Sequence, residues 1–193
     1  MSWFESWYDR MMAPLERGAV GRWRRDLLLR AKGNVLEIGV GTGANLPYYP
    51  SDVQVIGIEP AHDMLQRAQA KVRTDRVEFR SGVAERLEFP DDHFDTVVAT
   101  LVLCSVTDPL LSVREMYRVL KPGGQLLLLD HVVSEHRVVR GIQHLVNPVW
   151  KRAMGNCHLN RDTAQTVRGV FGRVEIRPYV RGLVLALGAE KDG

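Results

Sequence analysis

The sequence predicts one α/β domain in which a mostly parallel β-sheet lies between two layers of helices. Apolar strand patterns alternate with helical patterns along most of the chain, and the final two strand patterns are separated by only two residues. The 193 residues, 45% of them hydrophobic, supply one buried core. Helical crossovers produce parallel strands, whereas a two-residue connection permits only an antiparallel pair. We therefore expect a three-layer sandwich whose seven strands end in an antiparallel hairpin.

The first part of the chain predicts a strand, helix, strand unit followed by a helix and a third strand. Apolar runs over residues 35–38 and 53–58 are typical of buried strands, and the segment 43–49 between them predicts a short helix. Apolar positions over 64–72 share one helical face, and 77–79 predicts the third strand. This order is that of a β-α-β unit in a parallel sheet.

The middle of the chain predicts two more strands with a helix between them. The strands are expected over 94–99 and 125–130, the second of them after a Lys121-Pro122-Gly123-Gly124 breaker. Asp108-Pro109 marks the start of the connecting helix, whose apolar face extends to Leu120. These elements continue the alternation and extend the parallel sheet.

The last third of the chain departs from strict alternation. One helix is predicted over 137–154, interrupted at Asn147-Pro148, and another over 162–170. Two strands over 174–180 and 183–189 follow, joined by Arg181-Gly182. The sheet is therefore expected to end in a β-hairpin.

Composition excludes several classes of protein. Two cysteines, Cys104 and Cys157, cannot build a disulfide framework or a four-thiol zinc site, and they are compatible with a reducing cytoplasm. The longest apolar runs, 126–129 and 183–187, are far shorter than a membrane span. The net charge is +3, with basic ends around an acidic middle, and no nucleic-acid-binding motif is present. We therefore expect a cytoplasmic protein that does not bind nucleic acid.

A glycine-rich segment indicates a nucleotide-type binding site. Gly39, Gly41 and Gly43 follow the first predicted strand, and Glu59 stands 20 residues after Gly39 at the end of the second. Glycines allow the backbone to turn tightly and to approach a ligand without Cβ clashes, and the acid can accept hydrogen bonds from ribose hydroxyls. The third glycine is one position too early for the dinucleotide fingerprint.

Several motifs resemble those of class I S-adenosylmethionine-dependent methyltransferases. Residues 35–43 (VLEIGVGTG) resemble the first motif of that family, and Glu59-Pro60 resembles its ribose-binding segment. The Val83-Ala84-Glu85 stretch is similar to the adenine-binding segment, and residues 118–124 (RVLKPGG) are similar to the usual entry to the fifth strand. The specific motifs cover about residues 33–132.

The resemblance implies a Rossmann-like fold, methyltransferase activity and S-adenosyl-L-methionine as the cofactor. Thr100 and Leu101, just after the fourth strand, are expected near the methionine part of that cofactor, because open α/β sheets bind ligands beyond the carboxyl ends of their strands. Glu37 either orients this part or is a structural hydrogen-bond acceptor. The other residues implied in cofactor binding are Gly39, Gly41, Gly43, Glu59, Pro60, Val83, Ala84 and Glu85.

Finer resemblances concern the methyl acceptor. Residues 100–106, 130–132 and 156–162 are similar to a small methyltransferase-like family that includes alkyl-thiol S-methyltransferases. Those relatives carry an N-terminal membrane anchor, which is not evident in this sequence, so a soluble relative is expected. A second resemblance is to bacterial phosphatidylethanolamine N-methyltransferases.

Acceptor-site candidates lie after the fifth strand. His131 could remove the proton of an acceptor or bind an anionic one, and we take it as the catalytic candidate, with a packing role as the alternative. Cys157 is expected in a pocket wall, and Arg161 either binds substrate or stabilises the structure. Cys104 is expected to be a small buried hydrophobe. Cys157 and His158 are adjacent and no further ligands are evident, so no metal site is predicted.

The N-terminal residues 1–32 are predicted to form a helical lid on the methyltransferase domain of residues 33–193. Aromatic residues at helical spacing indicate a helix packed on its own domain. By resemblance, Tyr8 is a candidate lid residue over the cofactor. Contact of this helix with an anionic membrane surface is the alternative.

The sequence therefore predicts in-line methyl transfer to a small acceptor, most plausibly a thiol. A thiolate is already a good nucleophile near neutral pH, so the modest general-base equipment of the chain suffices. Two alternatives stay open: phospholipid N-methylation of the phosphatidylethanolamine type, and a non-catalytic S-adenosylmethionine-binding module. The oligomeric state does not follow from the sequence.

Overall fold

Seven strands form one sheet in the computed structural model, which describes residues 18–72 and 74–193. They are β1 (Asn34–Ile38), β2 (Gln54–Ile58), β3 (Val77–Arg80), β4 (Phe94–Thr100), β5 (Leu120–His131), β6 (Val174–Tyr179) and β7 (Val184–Glu190). The helices are α1 (Ala19–Leu28), α2 (His62–Lys71), α3 (Pro109–Val119), α4 (Arg137–Ala153) and α5 (Thr163–Phe171), with 3-10 turns at Leu46–Tyr48 and Val180–Gly182.

The strand order is β3-β2-β1-β4-β5-β7-β6, which confirms the predicted architecture. Strands β1 to β5 are parallel, and β7 runs antiparallel between β5 and β6. The chain leaves β1 in one direction to form β2 and β3, and later returns to the other side of β1 to form β4. A crevice forms at the carboxyl ends of strands where the order reverses in this way, so β1 and β4 mark the expected binding site.

Two hydrophobic clusters cover the two faces of the sheet, because successive strand residues point to opposite faces. Val97 packs on one face, in a cluster that includes residues of α3 and α5. Val98 packs on the other face, in a cluster that includes Leu27 and Leu28 of α1. The three layers predicted from the sequence are therefore present, and α1 is part of the second core.

The predicted helix over 43–49 is wrong. The chain forms turns and then a single 3-10 turn at Leu46–Tyr48. Gly43 has a φ of 81°, in the left-handed region that a right-handed helix excludes, so no α-helix can begin there. A loop therefore follows the glycine-rich segment.

The predicted break at Asn147-Pro148 is also wrong, because α4 continues through Pro148 from Arg137 to Ala153. A proline removes one backbone donor, but most of α4 is exposed, so water can satisfy the carbonyl that is left free. The Asn147 side chain accepts a hydrogen bond from Leu159 N at 2.8 Å, which ties the helix to the following loop.

Strand boundaries near turns differ from the predictions. β5 begins at Leu120 and includes the predicted breaker, with a register shift against β4 between Phe94 and Thr96. The C-terminal hairpin is antiparallel as predicted, but the 3-10 turn Val180–Gly182 lengthens its connection. These differences leave the strand order unchanged.

Candidate active site

The glycine-rich turn after β1 presents backbone to the crevice without side chains. Gly39 has a φ of 67°, and a Cβ at this position would lie 2.6 Å from Val102 Cγ2, so the turn requires glycine. Gly41 also has a positive φ, of 55°, but the nearest atom to a Cβ there would be the Gly39 carbonyl oxygen at 3.9 Å. Open space therefore lies beside Gly41, where a ligand can approach the main chain closely.

Glu59 joins the end of β2 to this turn. Its Oε2 accepts a hydrogen bond from Gly41 N at 3.0 Å, and its Oε1 accepts one from Ala61 N at 3.0 Å. Burial raises the pKa of Glu59, and the two backbone donors partly oppose that effect. Because each carboxylate oxygen has a second lone pair, the side chain can still accept hydrogen bonds from two hydroxyl groups of a ligand.

A buried polar cluster lies on the other side of the glycine-rich turn, between β1 and β4. Asn45 Nδ2 donates to Glu37 Oε1 at 2.8 Å and to Thr100 Oγ1 at 2.9 Å. Arg24 of α1 donates from Nη1 to Asn45 Oδ1 at 2.7 Å and also to Thr100 Oγ1. Glu37 and Thr100, both predicted from the sequence, are thus brought together by Asn45 and Arg24.

Glu37 is a buried acid of this cluster, and its pKa is shifted far from the ordinary value. Burial raises its pKa to about 7, although interactions with the Tyr49 hydroxyl, the Asn45 amide and the charge of Arg24 act in the opposite direction. Among the described residues, neither its Oε2 nor the hydroxyl of the neighbouring Tyr49 has a well-formed hydrogen bond. A buried carboxylate oxygen of this kind is expected to meet a donor, so the cluster suits a ligand that carries a cationic or hydrogen-bonding group.

Sequence reasoning missed Arg24, Asn45 and Tyr49. Arg24 is buried, whereas Arg22 and Arg25 of the same helix are not, and no local pattern distinguishes the three. Asn45 and Tyr49 stand in a segment that was predicted to be helical. Leu27 and Leu28, three and four residues after Arg24, are also buried, but the exposed Arg25 has the same spacing to Leu28 and Leu29, so apolar spacing does not identify Arg24.

The predicted adenine-binding segment follows β3. Ala84 is buried and Val83 is exposed, and Val83 pairs with Arg86 in a short bridge. Glu85 Oε1 accepts hydrogen bonds from the backbone N–H groups of Thr107 and Asp108, at 2.6 and 3.3 Å. Glu85 therefore fastens this segment to the start of α3.

Pro60 and Leu101 have less specific surroundings than the other predicted residues. Pro60 is exposed at the end of β2. Leu101 has a φ of 59°, in the left-handed region that favours glycine, and its backbone N donates to Leu129 O at 2.6 Å. Such strain in a non-glycine residue is common at functional sites. Tyr8 lies outside the described residues.

A second cluster forms at the carboxyl ends of the neighbouring strands β4 and β5. His131 ends β5, Cys104 lies in the loop after β4, and Cys157 lies in the loop after α4. Cys157 Sγ lies 2.7 Å from His131 Nε2, and the Trp150 Nε1–H group donates to Cys157 Sγ at 3.2 Å. One ligand atom of each cluster residue lies within 4.8 Å of those of the other two.

This cluster brings together residues that the sequence treated separately. The sequence showed no further metal ligand beside the adjacent Cys157 and His158. In the structure, Cys104 and His131 reach Cys157 from distant parts of the chain. His158 contributes its backbone N–H to Cys104 O at 2.7 Å, and its imidazole is not part of the cluster. The packing of the strands and loops brings the three cluster residues together. The spacing of these residues in the sequence does not show that they meet.

The surroundings of the cluster shift the pKa values of its two thiols in opposite directions. The hydrogen bond with Cys104, followed by interactions with His131, lowers the pKa of Cys157 to about 4 despite partial burial. The contact with Cys157 and burial raise the pKa of Cys104 well above the ordinary value. The pKa of His131 is raised, because its contact with the Cys157 sulfur outweighs burial. Cys157 is therefore the more acidic of the two thiols, and His131 is the basic group in contact with it.

Arg161 supports this region from outside. Its Nη1 donates to Leu103 O at 2.7 Å, and its backbone oxygen accepts from Val133 N at 2.9 Å. Burial lowers the pKa of its guanidinium, and the neighbouring Cys104 acts against that shift. The contacts fit the structural role that the sequence left open beside substrate binding.

The fold and the site together define a nucleotide-type binding domain. It has an open α/β sheet with a glycine-rich turn after β1, an acid after β2, and a polar cluster where the strand order reverses between β1 and β4. A family model described as a methyltransferase domain matches residues 36–128. A human thiol S-methyltransferase, TMT1A, is 30% identical over 177 residues, which cover 88% of this chain and 72% of that protein. The chain therefore belongs to the class I S-adenosylmethionine-dependent methyltransferases.

Two further comparisons extend this result. A phosphatidylethanolamine N-methyltransferase of Cereibacter sphaeroides is 45% identical over 107 residues, which are 53% of this chain and 53% of that enzyme. The match thus spans about half the length of that curated relative. A structure from Thermotoga maritima, described as a possible histamine N-methyltransferase, is similar with a TM-score of 0.75 and 22% identity over 98% of this chain and 97% of that one. It shows the same fold.

Proposed function

We propose that this protein transfers the methyl group of S-adenosylmethionine to the sulfur of a small thiol. The observation that carries the proposal is the contact of His131 Nε2 with Cys157 Sγ at the carboxyl end of β5, one strand from the end of β4. It supports an acceptor site at this edge of the sheet, where an imidazole and a sulfur atom are in contact. The similarity to a human thiol S-methyltransferase over 88% of the chain supports the same acceptor.

The residues around the glycine-rich turn fit the cofactor. The open space beside Gly41 admits a ligand, and Glu59 retains lone pairs for the two ribose hydroxyls. The unmet Glu37 Oε2 suits the amino group of the methionine part, and Arg24 brings positive charge to the carboxylate end. When bound, S-adenosylmethionine supplies a methyl group attached to a positively charged sulfonium sulfur. The sulfur side of the donor is the leaving group of the transfer.

The other predicted cofactor contacts are carried forward as proposals. The adenine ring is assigned to the segment Val83 to Glu85, which Glu85 holds against the start of α3. Leu101 is assigned to the methionine end, next to Thr100. Tyr8 and the lid over residues 1–32 are assigned from the resemblance, because residues 1–17 are outside the described part of the chain.

On the acceptor side, His131 is proposed to help convert the acceptor thiol into its thiolate. A free thiol has a pKa of about 8.5, so only a small shift is needed near neutral pH. The His131 Nδ1 atom is buried and has no hydrogen-bond partner within residues 18–72 and 74–193, whereas Nε2 contacts Cys157. The methyl transfer itself then requires only that the sulfur nucleophile lie in line with the sulfonium carbon.

A methyl-transfer assay tests the proposal. Purified protein is incubated with cofactor labelled in its methyl group and with a panel of alkyl thiols, or with phosphatidylethanolamine vesicles. We expect labelled thioether from the thiols, and a large loss of turnover in His131→Gln with little change in cofactor affinity. His158→Gln is the matched control, because its imidazole is outside the cluster. Label in lipid alone would contradict a thiol acceptor.

Phospholipid N-methylation is the second candidate, and the exposed face of α4 favours it. Val138, Ile142, Leu145 and Val149 line one side of this helix, with exposed fractions between 55% and 80%. The helix contains four Lys or Arg residues and no acid. An apolar stripe with basic flanks suits an anionic membrane surface. The 45% identity to a phosphatidylethanolamine N-methyltransferase points the same way.

Binding without catalysis is a third outcome of the same assay. Tight binding of S-adenosylmethionine with no labelled product from thiols or lipids would favour a non-catalytic cofactor-binding module.

No helix among residues 18–72 and 74–193 is long and apolar enough to cross a bilayer. A cytoplasmic location, as the cysteine usage predicts, is part of the proposal.

A further inference from the structure

We propose that Cys104, His131 and Cys157 form a binding site for one zinc ion, with the fourth coordination position open to the acceptor thiol. The inference rests on the proposed thiol methylation and specifies how His131 promotes it. One ligand atom from each of the three residues lies within 4.8 Å of the other two, so a central point is within a short side-chain adjustment of all three. Zinc bonds sulfur at about 2.3 Å and imidazole nitrogen at about 2.0 Å.

The loops that carry the cysteines are fastened to one another independently of the ligand atoms. His158 N donates to Cys104 O at 2.7 Å, and Asn156 Nδ2 donates to Ser105 O at 2.7 Å. Arg161 Nη1 adds a third connection, to Leu103 O, also at 2.7 Å. Because these bonds hold the loop after α4 against the loop after β4, the two sulfur atoms stay close without a metal. Such preorganisation favours a specific site.

The donor set selects the kind of ion. Two thiols and one imidazole are ligands that zinc prefers, whereas magnesium and calcium prefer oxygen. Cys104 and Asp130 are 1% exposed and Cys157 is 8% exposed, so two thiolates would add two negative charges to a site that already holds a buried carboxyl group. A divalent cation neutralises both thiolates, which copper(I) cannot do. Burial of uncompensated charge is costly, so the divalent ion is favoured.

Groups around the cluster support the Cys157 ligand and the backbone of His131, although His131 Nδ1 has no partner among the described residues. Trp150 Nε1 donates to Cys157 Sγ at 3.2 Å, which suits a thiolate acceptor. Asp130 Oδ1 accepts the His131 backbone N–H at 3.1 Å, and Thr163 Oγ1 donates to Asp130 Oδ2 at 3.2 Å. Such partners orient ligands and tune their affinity, and their loss typically costs about tenfold to a hundredfold in metal affinity.

Three protein ligands leave one tetrahedral position for an exchangeable group, as in catalytic zinc sites. An acceptor thiol that takes this position displaces water, and its proton passes to solvent. The sulfur electron pair then attacks the methyl carbon of S-adenosylmethionine in line, and the electron pair of the breaking carbon–sulfur bond stays on the donor sulfur. The thioether product is uncharged and binds zinc more weakly than a thiolate, so it can leave.

Cobalt substitution tests the site without any enzyme assay. The full-length protein is reduced, freed of metal with a chelator, and titrated with Co²⁺ under anaerobic conditions. We expect thiolate-to-cobalt charge-transfer absorption and tetrahedral visible bands that saturate at one equivalent and disappear when Zn²⁺ is added. Wild-type protein that gives no such spectrum, and binds no Zn²⁺ in competition with a chromophoric chelator, would overturn the proposal.

Variants identify the ligands. Cys104→Ser, Cys157→Ser and His131→Gln are each expected to lower zinc affinity by at least about tenfold, and Trp150→Phe by about tenfold. His158→Gln is the matched control and should bind zinc as the wild type does. Calorimetry with S-adenosylmethionine shows that each variant is folded, because the proposed cofactor contacts lie elsewhere. Equal zinc affinity in Cys157→Ser and wild-type protein would refute the assignment.

The two proposals can fail separately. A zinc-loaded protein that methylates no thiol would leave the metal site standing and remove the thiol acceptor. A protein that methylates thiols but binds no zinc would keep the thiol acceptor and remove the metal site, and equal rates with and without bound zinc would remove the catalytic role of the metal.

Discussion

Glu59 Oε2 and Gly41 N are 3.0 Å apart, so the carboxylate at the end of β2 accepts a hydrogen bond from the turn that follows β1. The bond helps to fix the position of the turn, together with the buried Val40 side chain and the Val40 N–H group, which donates to Ile58 O. One residue therefore has two proposed tasks, which are holding the shape of the cradle and accepting the ribose hydroxyls. Its replacement should affect the cofactor more than the fold.

Replacing Glu59 by Ala is predicted to weaken binding of S-adenosylmethionine by about 1–3 kcal/mol, because charge-assisted hydrogen bonds to the ligand are lost. Isothermal calorimetry measures the change directly. Glu88→Ala is the control, since Glu88 is an exposed acid outside the crevice. Unchanged affinity in Glu59→Ala would remove this residue from the cofactor site.

Gly39→Ala is predicted to destabilise the folded protein by about 1–3 kcal/mol, because the added Cβ meets Val102 and the backbone has a positive φ. Urea unfolding gives the free energy. Gly141 of α4 is the matched control: a Cβ there meets nothing within 4 Å, so Gly141→Ala should stabilise by about 0.5–1 kcal/mol. A loss of the same size in both variants would show that the contact with Val102 is unimportant.

The seven strands and their antiparallel ending followed from the sequence because they depend on local patterns, and so did the positions of the glycine-rich turn and of Glu59 at strand ends. Alternating apolar runs set the strands, and the distance from Gly39 to Glu59 matches the length of one β-α-β unit even though the helix inside it proved to be a 3-10 turn. The strand ends that carry Gly39 and Glu59 lie side by side in a parallel pair, so the absence of that helix did not alter the prediction.

The contacts within the site could not be predicted, because they join residues that are distant in sequence. Cys104, His131 and Cys157 meet only once β4, β5 and the loop after α4 are packed together. Arg24 reaches Asn45 and Thr100 across similarly long separations. A single sequence contains no pattern that reports such encounters, and a buried arginine has the same local signature as an exposed one.

Glu37 is predicted to make the stability of the protein fall as pH rises toward 7. The ordinary pKa of 4.5 applies when the chain is unfolded, and burial raises it to about 7 in the folded protein. The folded state thus holds its proton more tightly, so stability is highest below the unfolded pKa and declines between the two values. The total loss of stability across this pH range is of the order of 3 kcal/mol, since one pKa unit corresponds to about 1.4 kcal/mol.

Glu37→Gln isolates this effect, because glutamine keeps the size of the side chain and cannot ionise. Urea unfolding of both proteins from about pH 5 to about pH 8 should show the variant gaining stability relative to the wild type as pH rises. A difference between the two proteins that stays constant across this range would contradict the prediction.

Gln143→Ala is predicted to loosen α4 and to cost about 2–3 kcal/mol of stability. Gln143 is the one buried residue of that helix, and its side chain accepts from Ser134 N at 2.8 Å and donates to Val132 O at 3.0 Å and Leu159 O at 3.1 Å. Its loss leaves these backbone groups without partners. Hydrogen exchange of α4 should accelerate, while Gln66→Ala, an exposed helical glutamine, should change little.

The second candidate function predicts that α4 binds vesicles containing anionic phospholipid. Leu145 is 80% exposed at the centre of the apolar stripe, and exposed basic residues flank it at Arg140 and Lys151. Burying a leucine side chain in a bilayer is worth about 1.5–3 kcal/mol, so Leu145→Ser should weaken vesicle binding by at least about tenfold. Sedimentation with vesicles of stated anionic content measures this.

The control for that variant must remove the same apolar area elsewhere on the surface. Leu29, just beyond α1, is 60% exposed, and Leu29→Ser should bind vesicles as the wild type does. Binding through basic flanks and an apolar stripe together should also weaken as salt rises, because salt screens exposed charges. An equal loss in both serine variants would indicate non-specific adsorption, and no binding by the wild type would leave soluble thiols as the favoured acceptors. The assay thus separates a lipid acceptor from a soluble one through a property of α4 that the cofactor cradle does not share.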